Sequence, residues 1–175
     1  MIVKILNEAG YNEALTGLSL SYNVEDTSSF GQIADKLAGK DGGHNKFLES
    51  MVVWIDIDAP RYWWSQFDTY RTGTSKQSES TMHTILKRPL VQEDFEVPIL
   101  GIILSRLNMM IEQKEFDEVK NTLPEGFLQR RIVCTNYKVL RSIYKQRFSH
   151  KLPQWQKFCN TVLENVEFPE FIVKD

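Results

Sequence analysis

Residues 51–58 read Met-Val-Val-Trp-Ile-Asp-Ile-Asp and alternate with a period of two. Val53, Ile55 and Ile57 share one face, and Trp54, Asp56 and Asp58 share the other, which predicts a strand. Pro60 ends it and suits the first turn of a helix carrying Tyr62, Trp63, Gln66, Phe67 and Tyr70. Upstream, Ile2 to Leu6 alternates about Lys4 and reads as a short first strand, with a turn over 7–11. Residues 14–22 are ambiguous, with Leu15, Leu18 and Leu20 among small polar residues. Ser28 and Ser29 are N-cap candidates for a helix over 30–37, which Lys40-Asp41-Gly42-Gly43 stops. Residues 47–50 lead into the strand over 51–58.

Residues 72–81 form a polar run, Thr-Gly-Thr-Ser-Lys-Gln-Ser-Glu-Ser-Thr. It reads either as a flexible linker or as an anion-binding loop, since hydroxyls and backbone N–H groups suit phosphate. Residues 87–97 look irregular. A helix over 99–115 follows, striped by Ile99, Ile103, Leu107, Met110 and Ile111, then a shorter one over 115–122. Leu123-Pro124-Glu125-Gly126 breaks it. Residues 129–135 are a strand or extended segment. The stripe Tyr137, Leu140, Ile143 and Tyr144 predicts a helix over 136–147, with Lys138, Arg141 and Lys145 on other faces. Phe158, Cys159, Val162, Leu163 and Val166 align on a helix over 155–166. With no repeat and no linker boundary, the pattern is that of one α/β (α+β) domain over 1–175.

The 175 residues suffice for a core without staples. Net charge is −2, from 21 Lys and Arg against 23 Asp and Glu. No global positive field attracts nucleic acid or a membrane. No apolar run approaches the roughly 20 residues that span a bilayer, and the start is too quickly polar for a signal peptide. Cys134 and Cys159 sit among apolar residues and read as free thiols in a reducing cytoplasm. His44, His83 and His150 lack zinc-ligand spacing, so no metal is expected. No nucleophile elbow, P-loop or dinucleotide fingerprint occurs. What remains is a set of separated polar residues beside aromatics: Gln66, Arg71, Lys120, Arg130, Asn136, Lys138, Arg147 and His150. Such a set suits phosphates and a flat ring, and no catalytic residue stands out.

From His44 the sequence resembles the flavin-dependent thymidylate synthases. His44-Asn-Lys-Phe-Leu-Glu49-Ser50 is similar to that family's H-x-x-x-(F/L)-E-H, and the register runs ungapped through Ala59-Pro60 to Gln66 and Arg71. It resumes at Glu118, Lys120 and Leu123-Pro124 and continues through Arg130, Asn136, Lys138 and Leu140 to Arg147. Gln154-Trp155 resembles the family's Q-W-E after one inserted residue. Leu18-Ser-Leu-Ser-Tyr22 is a weaker match, and residues 82–115 look shorter than usual.

The resemblance implies conversion of dUMP to dTMP, with methylenetetrahydrofolate giving the carbon and FAD, reduced by NADPH, giving the hydride. It also implies a cytoplasmic homotetramer with sites where subunits meet. Gln66, Lys120 and Arg147 would then bind the nucleotide; Arg71, Tyr70, Asn136, Lys138 and His150 would bind the flavin. The departures are specific. The family's R-H-R reads Thr69-Tyr70-Arg71, the histidine after Glu49 is Ser50, and Lys120 and Lys138 replace arginines. Lysine neutralises phosphate but lacks arginine's bidentate fork. The S-x-N-E-x-S-x-R motif is not kept. In one register Gln77 and Thr81 replace its glutamate and arginine; in the other Ser75 and Ser80 match its serines, with Ser78 and Met82 at those positions. Three readings follow: a divergent flavin enzyme, a catalytically silent member binding a nucleotide or protein, and residues kept as supports of the fold.

Overall fold

The alternation over 51–58 becomes one of the two central strands of a four-stranded sheet in the computed structural model, which describes residues 1–174. In chain order the elements are β1 (Ile2–Ala9), α1 (Tyr11–Leu20), α2 (Phe30–Ala38), β2 (Val52–Pro60), α3 (Arg61–Phe67), β3 (Ser75–Ser78) and α4 (Thr81–Thr84). Then follow α5 (Gly101–Glu112), α6 (Phe116–Thr122), β4 (Leu128–Asn136), α7 (Tyr137–Arg147), α8 (Pro153–Asn165) and α9 (Glu170–Val173). The sheet order is β1-β2-β4-β3, so helices and sheet make the mixed class expected. Val53, Ile55 and Ile57 are all at 0% exposure while Trp54, Asp56 and Asp58 are half-buried, as the period of two requires.

Several elements differ from expectation. The first strand runs on to Ala9, and Gly10 takes the turn at φ +95°. A Cβ there would stand 2.2 Å from the Ser50 carbonyl oxygen, so only glycine lets the two backbones approach. The ambiguous stretch is α1, and the undecided one is β4. Residues 46–49 form a short 3-10 turn. Four of the ten residues of the polar run, Ser75–Ser78, pair as β3. Helix α3 stops at Phe67, which leaves Tyr70 beyond it. Arg141, off the apolar stripe of α7, is nevertheless buried: its guanidinium donates to the carbonyls of Lys174 and Gly39. No helix among the described residues is long and apolar enough to cross a membrane.

The described residues divide into two compact units. One comprises residues 1–2, 57–69 and 77–131. Its core joins Ile85, Leu90 and Phe95 to Leu107, Met110 and Ile111 of α5 and Val119 of α6. Trp63 and Phe67 of α3 stack at 5.0 Å. The other comprises residues 3–56, 70–76 and the chain from Ile132 onward. There α7 packs on α8 and α9, burying Tyr137, Leu140, Ile143, Trp155, Phe158 and Phe171. Each such side chain contributes about 1.5–3 kcal/mol when removed from water.

Candidate functional site

The second unit gathers most of the polar residues singled out in the sequence. Helix α7 carries Arg147 in its last turn, and α8 carries Trp155 in its first. The Arg147 guanidinium carbon lies 5.0 Å from the centre of the buried Trp155 ring. Arg147 Nε donates to the Tyr70 hydroxyl at 3.0 Å, and that hydroxyl donates to Gln146 Oε1 at 3.0 Å. The Tyr70 ring meets Trp155 edge-on at 6.1 Å. His150 meets the same indole at 6.5 Å, and its Nδ1 accepts from the Leu152 N–H at 3.1 Å. Three sequence-selected residues, Tyr70, Arg147 and His150, thus surround one tryptophan. An arginine held against an aromatic face keeps its charge while losing little mobility to a ligand.

Beside Arg71 lies an open cleft of about 320 Å³, lined by Val52, Arg71, Gly73, Thr74, Ser75, Cys134, Thr135 and Asn136. Its lining holds a guanidinium, three hydroxyls and a carboxamide, and no carboxylate. Thr135 donates to the Gly73 carbonyl at 3.2 Å, so Thr74 supplies the proton in the 3.1 Å bond between the two hydroxyls. Gly73 turns at φ +67°. Asn136 ends β4 in extended conformation and caps α7, its Oδ1 accepting from the Val139 N–H at 3.0 Å. The positive end of the α7 dipole therefore adjoins the cleft. A positive charge, hydroxyl groups and a helix start together suit an anionic or carbonyl-rich ligand.

Other selected residues stand apart from this cleft. Lys138, in the first turn of α7, donates through Nζ to Oδ1 of the buried Asn45, whose Nδ2 holds the Ala38 carbonyl at 3.1 Å. Gln66 and Lys120 belong to the first unit. Gln66 is in α3, and its carbonyl accepts from the Thr69 hydroxyl at 2.8 Å. Lys120 Nζ donates to the Thr81 hydroxyl at 2.6 Å. In that unit it is Arg131 that is firmly held: NH1 donates to Asp68 at 3.0 Å, and its guanidinium covers Trp64 at 4.3 Å.

Neither thiol forms a disulfide. Burial pushes the Cys159 thiol up to about 12, which leaves almost no thiolate at neutral pH. Cys134 is half-buried in the cleft wall.

The chain superimposes on the flavin-dependent thymidylate synthase ThyX of Helicobacter pylori, complexed with FAD and dUMP, with a TM-score of 0.85 at 16% identity. The match covers 99% of this chain and 98% of that one. The fold is that of a flavin-dependent thymidylate synthase. A second structure of the Helicobacter pylori enzyme with FAD and dUMP gives a TM-score of 0.80 at 16% identity, covering 98% and 97% of the two chains. No family model matches the sequence, and no curated protein matches it. The synthase fold thus covers 99% of the chain, at 16% sequence identity.

In the sequence Trp155 is only the first residue of its expected helix and part of the Q-W resemblance. Its role as the platform beneath Arg147 depends on a crossing of α7 and α8 that no local pattern encodes. The signal for Gly73 was the Thr-Gly-Thr run, which did not say which loop glycine would turn into the cleft. Thr135 and Cys134 were hidden in a segment whose period left strand undecided.

Proposed function

We propose that this chain is a divergent flavin-dependent thymidylate synthase, methylating dUMP to dTMP with methylenetetrahydrofolate as carbon donor and reduced FAD as hydride donor. The observation that carries this reading is the carboxylate-free cleft beside Arg71, in a chain whose whole length has the synthase fold. Its donor set fits the polar and anionic edges of FAD. Arg71 would face a phosphate, the Asn136 carboxamide would meet a carbonyl or ring nitrogen, and the Gly73 backbone would allow close approach. Tyr70, Lys138 and His150 complete the proposed flavin side; Gln66, Lys120 and Arg147 are the proposed nucleotide side. When bound, the flavin supplies the hydride, chemistry that protein side chains do not carry.

The chain's own residues supply position and charge. Arg147, held by Tyr70 and backed by Trp155, offers a fixed cation to a phosphate. The buried Cys159 does not act as a nucleophile, in keeping with a reaction that needs no thiolate. NADPH is the proposed reductant and a homotetramer the proposed assembly.

A second reading has one observation of its own. Tyr70, Lys138 and Lys120 all spend hydrogen bonds on neighbours in the chain: Gln146, Asn45 and Thr81. A silent member that binds a nucleotide or a protein partner would keep them for that structural purpose. The deciding experiment is turnover. Protein supplied with FAD, NADPH, methylenetetrahydrofolate and dUMP forms dTMP if the enzyme reading holds. Binding of dUMP without product in a folded protein establishes the silent reading.

A further inference from the structure

One carbonyl sets the direction of the protons in the cleft beside Arg71. A carbonyl oxygen only accepts, so the Thr135 hydroxyl, at 2% exposure, commits its single proton to the Gly73 carbonyl at 3.2 Å. The 3.1 Å bond between the Thr135 and Thr74 hydroxyls then takes its proton from Thr74. Thr74 is half-buried in the cleft lining with its proton spent and lone pairs left over. It therefore meets a ligand as an acceptor.

Asn136 is fixed in the opposite sense. Its cap on α7 needs Oδ1 to accept from the Val139 N–H, which assigns Nδ2 as the other atom of the carboxamide. Asn136 is at 9% exposure and lines the same cleft, and its Nδ2 has no acceptor among the described residues. Arg71 adds exposed donors. The cleft thus sets an acceptor at Thr74 beside donors at Asn136 and Arg71. A phosphate or carboxylate satisfies the donors but turns its lone pairs against those of Thr74. An N–H flanked by carbonyls, the imide edge of a flavin or uracil ring, satisfies both kinds. The exposed Ser75 hydroxyl can turn either way and does not discriminate.

We infer that Thr74, its proton held by Thr135, is a specificity-determining residue that accepts the imide N–H of a planar heterocycle in this cleft. This rests on the proposed reading of the cleft as a flavin site and deepens it. Thr74 touches the ligand, and Thr135 is a positioning residue that acts through Thr74. The selectivity that follows is for a ring N–H and not for a phosphate.

The test titrates full-length protein with FAD, with dUMP and with the N3-methyl derivative of each, which lacks the imide proton. The variants are Thr74→Val, Thr74→Ser and Thr135→Val, and thermal unfolding checks that each is folded. N3-methylation of FAD is expected to weaken binding to wild type and Thr74→Ser roughly fivefold more than to Thr74→Val, the scale of one neutral hydrogen bond read as a coupling. Thr135→Val releases the Thr74 proton and lowers that excess. The same excess found for dUMP and not for FAD supports the inference with uracil as the ring in the cleft. Equal methylation penalties in wild type and Thr74→Val, for both ligands, overturn the inference, and the proposed function still stands where FAD binds. Wild-type protein that binds neither FAD nor dUMP overturns both.

Discussion

A Cβ placed on Gly73 would lie 2.8 Å from Nδ2 of Asn136. The loop after Arg71 and the cap of α7 therefore meet at a distance that only glycine permits. Gly73 also has φ +67°, which side-chain-bearing residues adopt at a cost. Gly42 is a natural control, with φ +75° and open space around its would-be Cβ. Gly73→Ala should cost about 1–3 kcal/mol and exceed Gly42→Ala, which carries the backbone cost alone. Urea denaturation of the two variants measures the difference; equal losses would show that the close approach to Asn136 is relaxed at no cost.

Asn136 serves the fold and, by proposal, the ligand, and substitutions separate these roles. Asn136→Ala loses the bond to the Val139 N–H and should cost about 0.5–2 kcal/mol. Asn136→Asp keeps a capping oxygen and should retain stability, with some gain from a negative charge at the helix start. The same carboxylate would enter a cleft whose lining now has none, and should weaken an anionic ligand there. Denaturation midpoints and flavin titrations on both variants are the readout.

Much of this arrangement was legible in the sequence, and the unread part has a physical cause. Local period gave β2, α7 and α8 because one face of each is buried: Ile55, Leu140 and Phe158 are all within 2% of full burial. Asn136 was readable as the start of α7 because a cap acts within four residues. The end of α3 at Phe67, the burial of Arg141 and the pairing of β3 were not readable, since each depends on partners far along the chain. For the site, Arg147 and His150 stand out as separate polar candidates, and Tyr70 only through the family resemblance. Only the packing of α7 on α8 brings them around Trp155.

The two thiols should differ sharply toward a thiol reagent. Cys159 is buried at 3% exposure and its thiol is pushed up to about 12. Cys134 is half-buried in a solvent-open cleft. Native protein at mildly alkaline pH should label at Cys134 first, and at Cys159 only on the timescale of unfolding. Mass spectrometry of digested, partly labelled protein identifies the site. FAD or dUMP that occupies the cleft should slow the labelling of Cys134.

In the first unit, Asp94 closes a turn by accepting from Arg88 at 2.5 and 2.8 Å and from the Val91 N–H at 2.8 Å. Burial would push its carboxyl up, but the hydrogen bonds from Arg88 and Val91 win and hold it below its ordinary 3.8. The folded form then binds fewer protons than the unfolded one. The stabilisation is fully present above 3.8 and is lost as the pH falls through the lower folded value. Because Arg88 is largely exposed, its ion pair is worth only about 0.2–1 kcal/mol. Asp94→Asn should be less stable than wild type at neutral pH by roughly that amount, and the two curves should converge in acid. Unfolding free energies measured from neutral pH down into that acid range check the sign.

The central claim is that the synthase fold here still serves a flavin and a uracil nucleotide. The most direct measurement is the absorbance spectrum of purified full-length protein mixed with FAD and freed of excess, recorded before and after adding dUMP. The account predicts a flavin band that stays with the protein and shifts when dUMP is added. Folded protein that retains no flavin, with or without dUMP, would contradict it and leave the fold put to another use.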